Sequence, residues 1–503
     1  MEPELPGSER NTRNFTMKDI RQPELPLFQV AVIGAGASGT LVAAQFGRLA
    51  PECRLALIGD SPRPARGVAY ETQYQANLLN VPASNMSAFP DDMNHFLSWL
   101  QQRRPEAHAG TFAPRCLYGD YLTDVFDQAT AGPCGIDFFH DTAISLRRSE
   151  DRWSIRLKSG TSIEAMNVVL AFGNLQSPGD PIDFDAVAPQ YWRNPWRHDV
   201  ATGLDSAAPV LLIGTGLTMA DVALSLREVG HRGPIHALSR HGRLYQSHRP
   251  SKEWSLPLPP VGSYSPARVL QWVRQEVEFA TKAGSDWRAV IDGLRPHTAG
   301  IWQSWTTVQR KSFLRHARNL WDTHRHRMAP EVADELASLV ELGVLTIHRG
   351  HLLAAEWDGQ AVVQWIDPGG KIHTQRVARI VNCTGPSRDY AYGGSPLIAE
   401  LRAAGLLVPD ALRLGFETDA DGRFVDADGT PVENLFTLGP IRIPTLWESV
   451  AMPEIRNQAL ALAERLSSAS AAPTISTRSG AKPSAISSSR SNRVATTRRS
   501  AAP

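Results

Sequence analysis

Gly34, Gly36 and Gly39 stand at G-x-G-x-x-G spacing directly after the apolar run Val30, Val32, Ile33. Apolar residues return at Leu41, Val42, Phe46 and Leu49, which is helical period. A strand, a glycine turn and a helix in that order suit a phosphate-bearing ligand. The first glycine lets the chain turn, the second lets backbone approach a pyrophosphate, and the third lets helix pack on strand. The helix N-terminus then faces the anion. The reading is a dinucleotide site, with Ser38 inside the loop as a further contact. Such a fold wants an acid after its second strand to bind the adenosine ribose, and Asp60, after R-L-A-L-I-G, is the candidate.

Residues 210–221, V-L-L-I-G-T-G-L-T-M-A-D, repeat the pattern with Gly214 and Gly216, and Met219-Ala220 stand where a third small residue belongs. Here the second strand ends S-R-H-G-R, so Arg240 occupies the place of the acid. A basic side chain there can pair with a 2′-phosphate, which favours NADPH over NADH. Each loop has a later apolar strand running into a glycine, at Gly173 and at Gly385, and a third such strand ends at Gly439.

The elements that must hold these residues follow. The fold class is α/β, with two Rossmann-like dinucleotide-binding domains. The second is inserted in the first, since a strand of the first type recurs near the C-terminus. Residues 250–343 read as a helical insertion, with one helix face at Leu270, Val273 and Val277, another at Phe313, Ala317, Leu320 and Trp321, and a last helix from Pro330. Within it His324 and His326 lie two apart, diverge on a helix, and make poor metal partners; no metal site is expected. The loop N-L-L-N-V-P-A-S-N-M-S at 77–87 is suited to fold over a ligand, and Asn80 is counted among the cofactor contacts.

The bulk numbers exclude several classes. A net charge of +1 argues against nucleic acid as a partner, and 42% hydrophobic with 20% charged residues describes an ordinary soluble chain. No apolar run reaches the length of a membrane span, and no signal peptide opens the chain. The four cysteines form no CxxC or CxxxxC pair, which points to a reducing compartment, a cytoplasmic location and no disulfide relay beside the first loop. Residues 1–27 and the Ser-, Ala- and Arg-rich 467–503 read as disordered tails.

Several longer motifs carry a resemblance: I-G-A-G-A-S-G-T from Ile33, R-G-V-A-Y from Arg66, L-L-N-V-P-A from Leu78 and I-G-T-G-L-T-M-A-D from Ile213. To these add D-W-R-A-V-I-D from Asp286, W-D-T-H-R-H-R from Trp321, N-C-T-G-P from Asn382 and T-L-W-E-S from Thr445. Over residues 28–466 the chain resembles the bacterial two-dinucleotide FAD-NAD(P)-binding flavoproteins, related to flavin monooxygenases. The resemblance implies FAD at the first loop, spanning 28–205 and 386–466, and NAD(P)H at the second, spanning 206–385. It departs from the family at Gly59, where the ribose-binding acid usually stands, and at Asn77, often His. The F-x-G-x-x-x-H fingerprint of Baeyer–Villiger and related monooxygenases is absent.

The expected function is an FAD-dependent oxidoreductase in which NADPH reduces the flavin, as a monooxygenase hydroxylating a small polar metabolite. A urate-type purine is one candidate, because a bacterial flavin-dependent urate hydroxylase is similar in type. Alternatives are a dehydrogenase or oxidase passing electrons to a quinone or protein, and a non-catalytic flavin redox sensor. No catalytic dyad is evident; Trp447 and Glu448, before the last helix, are the candidates for residues near the flavin ring. Substrate identity and oligomeric state stay open.

Overall fold

The computed structural model describes residues 25–174, 180–196, 199–257, 264–386 and 395–470. Most of both expected tails lies outside the described residues. Strand β1 (Leu27–Ile33) buries every residue from Val30 on, as a parallel strand covered on both faces must. Helix α1 (Ala37–Leu49) crosses to β2 (Arg54–Gly59), parallel to β1 with Val30 opposite Leu55. Helices α2 (Gly67–Tyr70), α3 (His95–Gln101) and α4 (Arg115–Thr130) lead to β3 (Gly135–His140), parallel to β2. Then β4 (Ala143–Ser149) and β5 (Arg152–Leu157) form an antiparallel excursion, and β6 (Ser162–Leu170) returns parallel to β1 on the side away from β2.

A second sheet begins with β7 (Tyr191–Trp192), β8 (Val210–Ile213), helix α5 (Leu217–Glu228) and β9 (Ile235–Ser239). A helical layer follows: α6 (Pro266–Lys282), α7 (Trp287–Gly293), α8 (Thr298–Ser304), α9 (Thr307–His316) and α10 (Arg318–Arg325). Helix α11 (Pro330–Glu341) then leads to β10 (Leu345–Arg349). Strands β11 (His351–Trp357), β12 (Ala361–Ile366) and β13 (Ile372–Val377) make a separate antiparallel sheet, and β14 (Arg379–Asn382) comes back beside β8. The parallel order is β10-β9-β8-β14-β7.

The expected insertion over 250–343 needs one correction. Helix α11 is not part of the helical layer, because Val332, Leu336 and Leu339 are buried in the core of the second sheet with Met219 and Leu226. Helical spacing says that a face is buried, not what covers it.

The chain then re-enters the first sheet through α12 (Pro396–Ala403), β15 (Arg423–Val425), β16 (Pro431–Thr437), α13 (Ile443–Leu446) and α14 (Met452–Ser470). Phe436 of β16 stands opposite Val169, completing the order β15-β16-β6-β1-β2-β3. Helix α14 packs on α1 and continues to Ser470, past the expected start of the tail at 467. The architecture is therefore α/β, with two Rossmann-like sheets, the second interrupting the first and carrying a helical layer. Among the described residues no helix is long and apolar enough to cross a membrane, and no cluster of His, Cys, Asp or Glu could hold a metal ion.

Candidate functional site

The two glycine loops are built alike. Gly34 and Gly214 have φ of +115° and +117°. Their N–H groups donate to Ile58 and Leu238 carbonyls at 2.8 and 2.7 Å. A Cβ would lie 2.3 Å from the Ala171 carbonyl oxygen at Gly34, and 2.5 Å from that of Cys383 at Gly214. The strand-glycine segments ending at Gly173 and Gly385 thus press against the loops they were matched with. Helices α1 and α5 start at Gly36 and Gly216 with no side-chain cap. Their first N–H groups are left for an anion.

A cavity of about 390 Å³ opens over the first loop. It brings together Gly34, Gly36, Ser38, Asp60 and Gly173, with Pro440 and Met452 from the returning segment. Gly39 lies beneath it, where a Cβ would come within 1.9 Å of the Gly34 carbonyl oxygen. Gly439 abuts Ser38, its N–H donating to Gln458 Oε1 at 3.0 Å and its carbonyl accepting from Ser449 Oγ at 2.6 Å. At Gly36 the neighbouring protein is undemanding. A Cβ would meet only Gly67 atoms, the nearer at 3.5 Å, and φ is −83°. The missing side chain there leaves room for a ligand, which is the fit a pyrophosphate needs. Arg66, paired with Asp120 at 2.5 Å, also lines this cavity; the R-G-V-A-Y motif marks its place in the sequence, but no local spacing marks the side chain itself as a lining group.

The displaced acid has a physical cause. At Gly59 a Cβ would stand 2.6 Å from that of Ala35, so no side chain fits at the strand end. Asp60, one place on, accepts from Thr142 Oγ1 at 3.0 Å at the cavity edge. Asn77 is structural: it donates to Thr72 Oγ1 and accepts from Ser225 Oγ, both at 3.0 Å.

Three sequence candidates sit away from this cavity. Asn80 does not line it; its carbonyl accepts from His248 Nε2 at 3.0 Å. Burial, with Arg327 nearby, holds His248 down to about 4, so the ring is neutral at pH 7. Trp447 stacks on Trp302, ring centroids 4.6 Å apart, and lines a different cavity. Glu448 is buried and accepts a forked pair of hydrogen bonds from Arg325, Nε to Oε1 at 2.9 Å and Nη2 to Oε2 at 2.8 Å. The W-D-T-H-R-H-R segment therefore fastens the helical layer, with Arg327 on Asp292 in addition.

At the second loop, Arg240, exposed just past the end of β9, lies with Arg243 and Arg349 around His241. The Gly242 turn lies so close to β10 that a Cβ there would be 3.0 Å from that of Arg349. Burial, then the charges of Arg240, Arg243 and Arg349, hold the His241 imidazole below its usual range. Arg349 comes from a different strand, so local spacing could not find it.

Residues 31–175 match a family model described as FAD-NAD(P)-binding. This part of the chain is similar to FAD-NAD(P)-binding domains. Among curated protein sequences none matches the chain. Solved structures match it nearly end to end. An ornithine N-hydroxylase from Kutzneria sp. 744 is 15% identical, covering 89% of this chain and 100% of its own, with a TM-score of 0.63. The L-lysine 6-monooxygenase of Pseudomonas syringae is 17% identical, covering 88% and 99%, with a TM-score of 0.62. A cadaverine monooxygenase from Erwinia amylovora is 10% identical, covering 92% and 100%, with a TM-score of 0.64. At these identities the likeness is one of fold.

A buried ion pair joins helix α4, beside the first sheet, to helix α5, beside the second. Arg115 of α4 lies 3.4 Å from Asp221 of α5, both nearly inaccessible. Burial pushes Asp221 up to about 6, against the pull of Arg115. From about pH 4 to pH 6 the folded protein therefore keeps a proton that the unfolded chain has lost, and stability falls as pH rises. Asp221→Asn removes that slope. Relative to wild type the variant should gain about 3 kcal/mol between pH 4 and pH 7, read from urea denaturation at each pH. A constant difference would remove the assignment.

Proposed function

We propose that the chain is an FAD-dependent, NADPH-using monooxygenase acting on a small molecule. The observation that carries this reading is the pair of like-built anion cradles at Gly34–Gly36 and Gly214–Gly216, with Arg240, Arg243 and Arg349 gathered at the second. The open N–H groups of α1 would hold the FAD pyrophosphate, and Asp60 its ribose. The start of α5 would hold the NADPH pyrophosphate, with Arg240 and Arg349 on the 2′-phosphate. With FAD held at the first cradle and NADPH at the second, the cofactors would supply hydride transfer and O₂ activation for hydroxylation. The protein's part is to orient both cofactors and exclude water. Among the fold-level neighbours, the ornithine, lysine and cadaverine enzymes are titled hydroxylases or monooxygenases, with TM-scores of 0.62 to 0.64 for the three described above, whereas a bacillithiol disulfide reductase and a thioredoxin reductase match at 0.50; this supports the monooxygenase reading. Cys53, Cys116, Cys134 and Cys383 are free thiols and none lines the first cavity, so a disulfide relay has no support there.

The test is anaerobic mixing of the FAD-loaded protein with NADPH, followed by air. Bleaching of the flavin, then incorporation of ¹⁸O from ¹⁸O₂ into a product, supports the proposal. Reoxidation by quinone alone makes it a dehydrogenase, and an unreduced flavin sinks both. Arg240→Ala should weaken NADPH by about 1.5–3 kcal/mol, the worth of a charge-assisted hydrogen bond, and leave NADH unchanged. Equal losses for both cofactors would remove the phosphate role.

A further inference from the structure

Cys53 and Cys134 stand one residue before β2 and β3, and these strands run parallel with Arg54 opposite Gly135. The ladder reaches one residue past the strands, because the Gly135 N–H donates to the Cys53 carbonyl at 3.1 Å. Cys53 and Cys134 are therefore the next pair in register. Register partners turn their side chains to the same face, and neighbouring strands lie about 4.8 Å apart. Both cysteines pack into the apolar cluster that also holds Val42 and Phe46 of α1. The Cys134 thiol donates to the Cys53 carbonyl at 3.2 Å. A disulfide asks for Cα atoms about 4.4–6.8 Å apart, with side chains on a common side.

We propose that Cys53 and Cys134 are an oxidative modification site, joined by a reversible disulfide that clips strand β3 to β2. The pair lies at the end of these strands away from the flavin-side cavity, so it is independent of the monooxygenase reading above. The other two cysteines are placed elsewhere. Cys116 accepts from Gln75 Nε2 at 3.2 Å, and Cys383 is buried just past β14 in the second sheet.

The two thiols differ as an attacking and a resolving cysteine must. Cys134 is 2% exposed, and burial, then the neighbouring Cys53, push its thiol up to about 11. Cys53 is half-buried, so a small oxidant reaches it first. With hydrogen peroxide, the Cys53 thiolate attacks one peroxide oxygen, the O–O bond breaks, and water leaves as Cys53 becomes a sulfenic acid. The Cys134 sulfur then attacks the Cys53 sulfur and displaces a second water. Two thiols lose two electrons and two protons, and the peroxide takes both. An external dithiol returns them by exchange.

The clip acts where the sheet is least held. Strand β3 is the last in the order β15-β16-β6-β1-β2-β3. Past its other end, Asp141 and Thr142 line the flavin-side cavity, and Thr142 Oγ1 donates to Asp60 at 3.0 Å. A bridge from residue 53 to residue 134 closes a loop holding α2, α3 and α4. It thereby lowers the entropy of the unfolded chain.

The full chain, loaded with FAD and freshly reduced, is treated with hydrogen peroxide or with diamide. Non-reducing peptide mass mapping should find Cys53 joined to Cys134 within one chain. Thiols titrated after unfolding should fall from four to two. The melting temperature should rise by roughly 4–10 °C and return with dithiothreitol. Cys53→Ser should abolish the bridge and the rise while melting like the reduced wild type; Cys134→Ser serves if that variant does not fold. A sulfinic acid at Cys53 beside a Cys134 that still alkylates would overturn the proposal. So would a bridge to Cys116 or between chains, or a Cys53–Cys134 bridge that leaves the melting temperature unchanged or lowered.

Discussion

Gly36→Val is expected to strip FAD from the protein and leave the fold intact. The two effects separate because of what surrounds each glycine. A Cβ at Gly36 touches only Gly67 atoms, the nearer at an ordinary 3.5 Å, in a backbone conformation open to any residue. At Gly39 and Gly34 the same atom would be driven to 1.9 and 2.3 Å from carbonyl oxygens. Alanine at Gly39 or Gly34 therefore attacks the sheet and helix themselves. A side chain at Gly36 attacks only the space reserved for the pyrophosphate. Overpacking of this kind costs about 1–3 kcal/mol, which is roughly 5- to 150-fold in FAD affinity. The checks are the flavin-to-protein absorbance ratio and the melting temperature against flavin-free wild type, since bound FAD stabilises by mass action. A yellow variant with wild-type occupancy would refute the site.

The second large effect lies at Arg325 and Glu448. Both side chains are almost inaccessible, at 12% and 10% exposure, and each is the other's main partner. Burial pushes the Glu448 carboxyl upward and the guanidinium beside it pulls back; the forked geometry is that of an ionised pair. Removing one partner of such a pair costs about 3–5 kcal/mol, whereas replacing both with apolar groups costs far less. Arg325→Ala should therefore shift the urea midpoint strongly, and the double variant Arg325→Met with Glu448→Leu should recover most of the loss. An unshifted midpoint in the single variant would show that the pair holds nothing. Activity lost through Arg325→Ala alone would report detachment of the helical layer, so it gives no support for Glu448 as a catalytic group.

The glycine loops could be read in the chain because backbone geometry there restricts composition within ten residues. The strand-glycine partners could be read for the same reason, and the returning strand at Gly439 gave away the insertion. What lay beyond reach depended on residues distant in sequence. Arg349 joins Arg240 only because β10 lies beside β9. Helix α11 has the spacing of the helices before it but a different sheet beneath it. Trp447 and Glu448 adjoin the flavin segment in sequence, yet a positive φ of 60° at Trp447 helps direct the chain there, and no local pattern announces such a turn. The cavity that Trp447 lines draws on five helices and the segment after α13, so its walls emerge only once these have packed.

The interleaving of the two sheets bears on how the protein is made. Helix α1 is synthesised near the start, but α14, which covers it, leaves the ribosome last among the packed elements. At ordinary elongation rates that interval is roughly 20 to 80 s. Meanwhile every strand of the second sheet has emerged, so that sheet is the first able to close. A nascent chain thus carries an uncovered apolar helix through most of its synthesis. Release before β16 would yield a product with a finished second half and a first half unable to retain its cofactor.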